Sequence, residues 1–381
     1  MMTTISRAPN DNFTYELFRN LLSTVPVDFE AYYIWSGQPD EFKKFISKTT
    51  FSKSTVIIGI KDLLDLWLEF DYWVDTVTAG AELLADLARR NLDKNFIIFT
   101  SIENLSAELA LLKITNIQLV EWGGDVTNQA DLYPTITPVF NKKFNSEKTF
   151  ISLNRHPRAH RLVLLSYLFG NNYNDHGYIT YLGQDRFNLP DCILDKISWQ
   201  FDEKHNTVRQ SVLDGYKKFY NNRKLQIVEY ENIYPTPNAN VDNFVHRLTP
   251  LYQNSFVEIV SESSFAAPSF LITEKVLNSM YGCNFPIILS GVGAVAHLRD
   301  IGFDVFDDVI DHSYDLIANP FDRVISAIED NKQLLVDPES TKKLWLVNKD
   351  RFTNNIDIAK DRMYNWFRAR TIAQFNLIKW H

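Results

Sequence analysis

The chain is nearly without cysteine: Cys192 and Cys283 are the only two in 381 residues, far apart and in no C-x-x-C arrangement. That excludes a disulfide scaffold and a zinc ribbon, and it suits a reducing compartment. Long apolar runs are missing as well. None approaches the roughly 18 residues that a membrane span needs, and the start, MMTTISRAPNDNF, lacks the basic-then-apolar order of a signal peptide. A soluble, cytoplasmic protein with no membrane insertion is expected. Nor is there an excess of positive charge. With 39 Lys and Arg against 47 Asp and Glu the net charge is −8, so the overall field does not favour nucleic acid or an anionic membrane. Only a local basic patch could do so. No internal repeat or low-complexity segment occurs. No G-x-G-x-x-G follows an early strand, which removes the usual dinucleotide fingerprint.

What the chain does have is 45% hydrophobic and 14% aromatic content, enough for two ordinary cores. Residues 12–24 carry apolar side chains at helical spacing. VDFEAYYIW (27–35), STVIIGI (54–60), NFIIFTS (95–101) and NIQLVEW (116–122) read as strands, with helical patterns up to Arg90, strongest over 79–90, and over 107–113 between them. From 123 to 148 the periodicity lapses, and Pro134, Pro138 and NKKFNSEK suggest an interdomain connection. The alternation then resumes: strand TFISLN (149–154), helix AHRLVLLSYLFG (159–170), strands YITYL (178–182), LQIVEY (225–230), FVEIVSE (256–262) and FPIILS (285–290), helix AVAHLRDI (294–301) and strand FDVF (303–306). Residues 185–224 break the rhythm and read as an insertion with one helix near 208–220. The expected fold is α/β, with two Rossmann-like domains built on parallel sheets. They span 1–127 and 149–340, joined by a linker at 128–148, and C-terminal helices over 341–381 cross back towards the first domain.

Three clusters stand out. In FLITEKVLNSMYGCNFPIILSG (270–291), Thr273 can cap a helix and Glu274 suits the positive end of its dipole, which alone describes an ordinary helix start. Lys275 is unfavourable there unless something negative lies nearby, and a helix N-terminus after a strand is a natural phosphate site. A carboxylate beside it suits the paired hydroxyls of a ribose. The second cluster, ISLNRHPRAHR (151–161), gathers Arg155, His156, Arg158, His160 and Arg161 within seven residues at the end of a strand. It reads either as a solvated helix start or as an anion site, and Arg161 is expected to face outward. The third is Glu262-Ser263, at the end of FVEIVSE, a strand end from which a carboxylate could accept hydrogen bonds from a sugar or ribose.

TEKVLNSMYGCNFPIILSG resembles the donor-binding segment of the α-1,3-fucosyltransferase-like glycosyltransferases, in which T-E-K precedes a small-residue turn and a P-(V/I)-(V/I)-L-G run. Glu262-Ser263 stands like that family's upstream E-N-S, with Asn missing and a slightly longer gap to Thr273. ISLNRHPRAHR and LRDIGFDVFDDVIDHSYD are similar to segments of glycosyltransferase-like proteins of tailed phages, so the similarity covers roughly 149–320. The resemblance implies a GT-B fold, two facing Rossmann-like domains with a cleft between them, acting in the host cytoplasm if the chain is viral. It implies an inverting transfer from a nucleoside-diphosphate sugar. Glu274 would bind the donor ribose, Lys275 its diphosphate, and Arg155 or Arg158 the leaving charge. Asn154, Arg161, Glu262, Ser263 and Thr273 complete the implied donor site. The chain contains no D-x-D pair, so no metal and no cofactor beyond the nucleotide sugar are expected.

For the general base, family analogy asks for a carboxylate in the first domain. Asp125 in EWGGD, Glu103 in SIEN and Asp62 after STVIIGI all follow strands, and Gly123-Gly124 beside Asp125 leaves room for a ligand. For the acceptor, Arg362, Arg368, Arg370 and Lys379 interleave with Trp366, Phe367 and Trp380 near the C-terminus. Arg368, Arg370 and Trp366 could track a phosphate backbone and stack on an extruded base. The same pattern also fits an amphipathic helix with its aromatics turned inward. A hydroxymethylated pyrimidine in phage DNA is the expected acceptor. A glycan, or a non-catalytic nucleotide-binding role, are the alternatives.

Overall fold

The structure, a computed structural model, describes residues 2–4, 12–34, 39–60, 76–100, 105–121, 136–144, 148–154, 159–181, 206–221, 244, 248–262, 265 and 273–380. The chain divides into two compact α/β units. Unit 1 comprises 1–131, 266–273 and 359–381, and unit 2 comprises 132–265 and 274–358. Among the described residues no helix is long and apolar enough to cross a membrane.

Unit 1 contains strands β1 (Met2–Thr4), β2 (Phe29–Ile34), β3 (Thr55–Ile60), β4 (Asn95–Thr100) and β5 (Ile117–Glu121), all parallel and paired in chain order. Helices α1 (Asn12–Leu22), α2 (Pro39–Lys48), α3 (Thr76–Arg90) and α4 (Leu105–Leu111) alternate with them. The expected strands are present. The sequence reading overlooked β1 and α2. β3 is buried at all six positions because both sheet faces are covered, which is what its unbroken β-branched run signals. One face packs Val56, Ile58 and Ile98 under Phe45, Leu84 and Leu105 of α2, α3 and α4. The other packs Tyr33, Ile57 and Phe99 against Phe18 of α1 and Phe375 near the C-terminus.

Phe375 belongs to helix α14 (Met363–Asn376), which buries Met363, Phe367, Thr371 and Phe375 at fourfold spacing. Among the described residues β5 is an edge strand, its outer backbone groups facing no further strand. Gln374 Oε1 accepts from the Glu121 amide at 2.6 Å, and Gln118 exchanges two 2.9 Å hydrogen bonds with the backbone of Lys379. The C-terminal helix thus blunts that edge. The C-terminal helices do not act as one block, however: residues 341–358 cluster with unit 2 and only 359–381 with unit 1.

Unit 2 holds strands β6 (Phe150–Asn154), β7 (Gly177–Tyr181), β8 (Val257–Ser261) and β9 (Phe285–Leu289) in the order β7-β6-β8-β9, all parallel. Its helices are α5 (Ala159–Gly170), α6 (Asn206–Asn221), α7 (Thr249–Gln253), α8 (Glu274–Gly282), α9 (Ala294–Ile301), α10 (Pro320–Asp330), α11 (Lys332–Val336), α12 (Pro338–Val347) and α13 (Lys349–Asp357). The insertion helix α6 packs closely on α5. A Cβ on Gly215 would lie 1.7 Å from the Ser166 carbonyl oxygen, and one on Gly170 2.4 Å from that of Ser211, so the two backbones meet where both helices carry glycine. The strand expected at 225–230 lies outside the described residues.

Two expectations are corrected. Residues 303–306 form no strand. Asn355 takes both backbone groups of Asp304 with its carboxamide, at 2.8 and 2.7 Å, and Phe306 has φ 63°, incompatible with an extended run. A side chain has replaced the ladder. The supposed linker is also, over 136–143, part of the unit 2 core: Ile136, Val139 and Lys142 are buried there. Lys142 Nζ donates to the Tyr252 carbonyl at 2.8 Å, the Gly282 carbonyl at 2.7 Å and Asn284 Oδ1, three acceptors for the three N–H bonds of an ammonium. Burial pulls this lysine down to about 7 and pushes nearby Glu258 up to about 8.

Candidate functional site at the carboxyl edge of the second sheet

From β6 the chain moves outward to β7 on one side, and later to β8 and β9 on the other. Ligands of open parallel sheets bind at such a reversal, beyond the carboxyl ends of the strands. Unit 1, paired in chain order, has no reversal among its described strands. The β6–β8 ladder is short. Phe150 pairs with Val257 and Ile151 with Glu258, after which the strands part, whereas β6–β7 and β8–β9 each continue for five pairs.

The parted end is held by α5. Arg161 Nη2 donates to the Ser261 carbonyl at 2.9 Å and the Glu262 carbonyl at 3.4 Å, and His160 Nε2 lies 3.1 Å from the Glu262 carbonyl. The His160 ring stacks on Phe265 at 4.4 Å. The Arg323 guanidinium also lies over Phe265, 4.6 Å from the ring centre, and donates to the carbonyls of Phe265 and Ile317. Burial lowers Arg323 to about 10, opposed by Asp315. The expectation that Arg161 faces outward is therefore corrected. It is 2% exposed and shapes the backbone at the end of β8, because the parted strands leave carbonyls that need donors.

Side chains alternate faces along a strand, so Glu258 and Glu262 share one face. Helix α8 packs on β8, and Lys275 Nζ lies 3.8 Å from Glu262 Oε2 and 2.9 Å from Glu274 Oε1. The Glu262 side chain is fully buried, while Lys275 and Glu274 remain 20% and 26% exposed. Helix α8 begins at Glu274, directly after buried Thr273. The negative groups that Lys275 calls for at a helix start are thus Glu274, at hydrogen-bond distance, and the more distant buried Glu262. A fully buried carboxylate facing a partly exposed lysine is costly for a fold to keep.

The glycine-containing turn after β9 is occupied by the protein itself. Gly293, with φ 82°, leads into α9, and Asp315 Oδ2 accepts from the amides of Val295 at 3.1 Å and Ala296 at 3.4 Å. A carboxylate already fills that helix end, so Gly291-Val292-Gly293 is a turn and not a phosphate loop.

Structure therefore brings together Asn154, Arg161, Glu262, Glu274 and Lys275 at one edge of one sheet. Arg155, Arg158, Ser263 and the three candidate bases Asp62, Glu103 and Asp125 lie outside the described residues. On the C-terminal helix, Arg370 pairs with Glu121 at 2.8 Å and lies 5.3 Å over the Trp366 ring, so both side chains take part in docking α14, while Arg368 is exposed. No group of His, Cys, Asp and Glu among the described residues could hold a metal ion. His160 stands in the cationic cluster already evident in the sequence, whereas Phe265, Arg323 and Ser261 were missed there; of these three only Ser261 carried a signal, as a hydroxyl at the end of a mostly apolar strand. No protein-family model matches the sequence, and no curated protein matches it either.

Proposed function

We propose that this protein is a glycosyltransferase of the GT-B type that takes its sugar from a nucleoside-diphosphate sugar bound at the carboxyl edge of the second sheet. What carries this reading is the buried Glu262 facing Lys275 and Glu274 at the first turn of α8, beside the strand-order reversal. Carboxylates there accept hydrogen bonds from ribose hydroxyls, and the lysine with the helix end receives the diphosphate. As negative charge develops on the departing diphosphate, a preorganised cation contributes most to rate. The acceptor is a hydroxyl deprotonated by a carboxylate, and inversion follows from a single displacement.

For the acceptor, a hydroxymethylated pyrimidine in DNA is favoured by the exposed Arg362, Arg368 and Lys379 at the C-terminal end of the chain. A glycan acceptor uses the same donor site and differs only in what the cations contribute. A non-catalytic nucleotide-binding module also shares that site and is recognised by binding without turnover.

The deciding experiment is thermal denaturation of the wild type and Lys275→Ala with UDP, GDP, CDP, ADP and NAD. A ligand at a hundred times its Kd stabilises by about 2.7 kcal/mol. One diphosphate should raise the wild-type melting temperature by several degrees and leave Lys275→Ala unmoved. No shift with any diphosphate, or an equal shift in the variant, reduces the Thr273–Lys275 segment to a capped helix start. Turnover should persist in EDTA; its loss and recovery with manganese would contradict charge stabilisation by Lys and Arg alone.

A further inference from the structure

Asn154 and Ser261 are the last residues of β6 and β8, each 1% exposed. Continuing the register of Phe150 with Val257 and Ile151 with Glu258 sets them level, across the place where the strands part and on the same sheet face. Asn154 Nδ2 is fixed by the Ser152 carbonyl at 3.3 Å and the Ser152 hydroxyl at 3.0 Å. Since a carbonyl only accepts, the amide nitrogen must face it, and Oδ1 points away. That Oδ1 has no hydrogen-bond partner, and neither has Ser261 Oγ. Two buried polar atoms left unsatisfied at the ends of adjacent strands call for a missing partner, because buried polar groups are nearly always hydrogen-bonded.

We propose that Asn154 Oδ1 and Ser261 Oγ form a slot for one hydroxyl of the bound ligand. Asn154 Oδ1 can only accept, which disfavours a phosphate oxygen, whereas a hydroxyl donates to Oδ1 and accepts from the Ser261 hydroxyl. Glu262 and Lys275 lie towards the opposite face of the sheet, so a ligand over the strand ends is held from both sides. This rests on the donor reading above and deepens it: the part of the ligand that reaches the sheet is a polyol, either the ribose or the transferred sugar.

Ser261→Ala tests the slot, because the two roles predict opposite signs. Deleting an unpartnered buried hydroxyl leaves stability unchanged or raises it, while a ligand that used the hydroxyl loses affinity. Calorimetric titration would use UDP, GDP, CDP and ADP, with UDP-glucose and GDP-mannose as sugar adducts, on the wild type, Ser261→Ala and Asn154→Ala. The expected result is a melting temperature at or above wild type for Ser261→Ala, with about 3–10-fold weaker binding. Weakening for the nucleotide and its sugar adduct alike assigns the slot to the ribose; weakening for the adduct alone assigns it to the sugar. Asn154→Ala should weaken the same ligands, with a lower melting temperature from the lost Ser152 contacts. Unchanged affinity in both variants, or a lower melting temperature of Ser261→Ala with unchanged affinity, overturns the slot and leaves the donor site standing. Absence of binding by the wild type removes both.

Discussion

In unit 1 the central strands β3 and β4 carry aliphatic and aromatic side chains to both faces, and the only buried polar residues on these two strands are Thr55 and Thr100. In unit 2 the central strands β6 and β8 carry Ser152, Asn154, Glu258 and Ser261, and Glu262 follows directly, all buried. The two sheets share parallel pairing and helical cover, so the contrast does not come from architecture. Burying polar groups weakens a core unless each finds a partner. Most of them gather towards the carboxyl end of the strands, where the strand order reverses, which accords with the ligand site proposed there.

The largest effects should separate the two. Phe18 is fully buried against Tyr33 and Phe99, and Phe18→Ala should destabilise unit 1 by about 3–5 kcal/mol while nucleotide affinity stays within about twofold. Urea denaturation with calorimetric titration checks both. Lost affinity in the folded variant would break the comparison. Gly215→Ala forces α5 and α6 apart and should cost about 1–3 kcal/mol. Because α5 carries His160 and Arg161, this variant should also weaken the nucleotide. Lys142→Met removes the donor that three buried acceptors share and should cost about 2–3 kcal/mol with affinity retained, since the lysine lies against the amino-terminal side of the sheet.

A smaller effect concerns pH. Burial raises Glu258 from its ordinary 4.5 to about 8, so the folded state keeps a proton that the unfolded chain has released. The stability this contributes is complete below about pH 4 and is lost as pH rises through 8. Glu258→Gln, which keeps an oxygen for the Tyr252 hydroxyl, should flatten the decline of melting temperature between pH 5 and 8. A slope equal to wild type would place the titration elsewhere. Smallest are the C-terminal cations. Arg370→Ala should cost unit 1 about 1 kcal/mol through Glu121. Arg368→Ala should leave stability unchanged, yet lower the salt dependence of DNA binding by about one phosphate contact if DNA is the acceptor. Equal salt slopes would favour a glycan.

Much of this architecture was legible. Runs such as TVIIGI announce themselves because a strand covered on both faces must be apolar throughout. FDVF misled for the same reason: its composition is that of a strand, but nothing in four residues reveals that Asn355, some fifty positions later, will take the hydrogen bonds of Asp304. The segment around Val139 read as a linker because two prolines and a polar cluster surround the few residues that are buried. Arg161 read as a solvated cation because the carbonyls it satisfies come from a strand a hundred residues away.

By itself the sequence determined that the protein is α/β with two parallel sheets, and that Glu274 and Lys275 begin a helix, because hydrophobic period and helix-end chemistry are local properties of the chain. Only the tertiary structure decided that Glu262 faces Lys275, that Arg161 is buried, and that Asn154 Oδ1 and Ser261 Oγ, at the ends of neighbouring strands, are buried without hydrogen-bond partners. Those are matters of strand order and register, set by which distant segments pack together, and no local pattern encodes them.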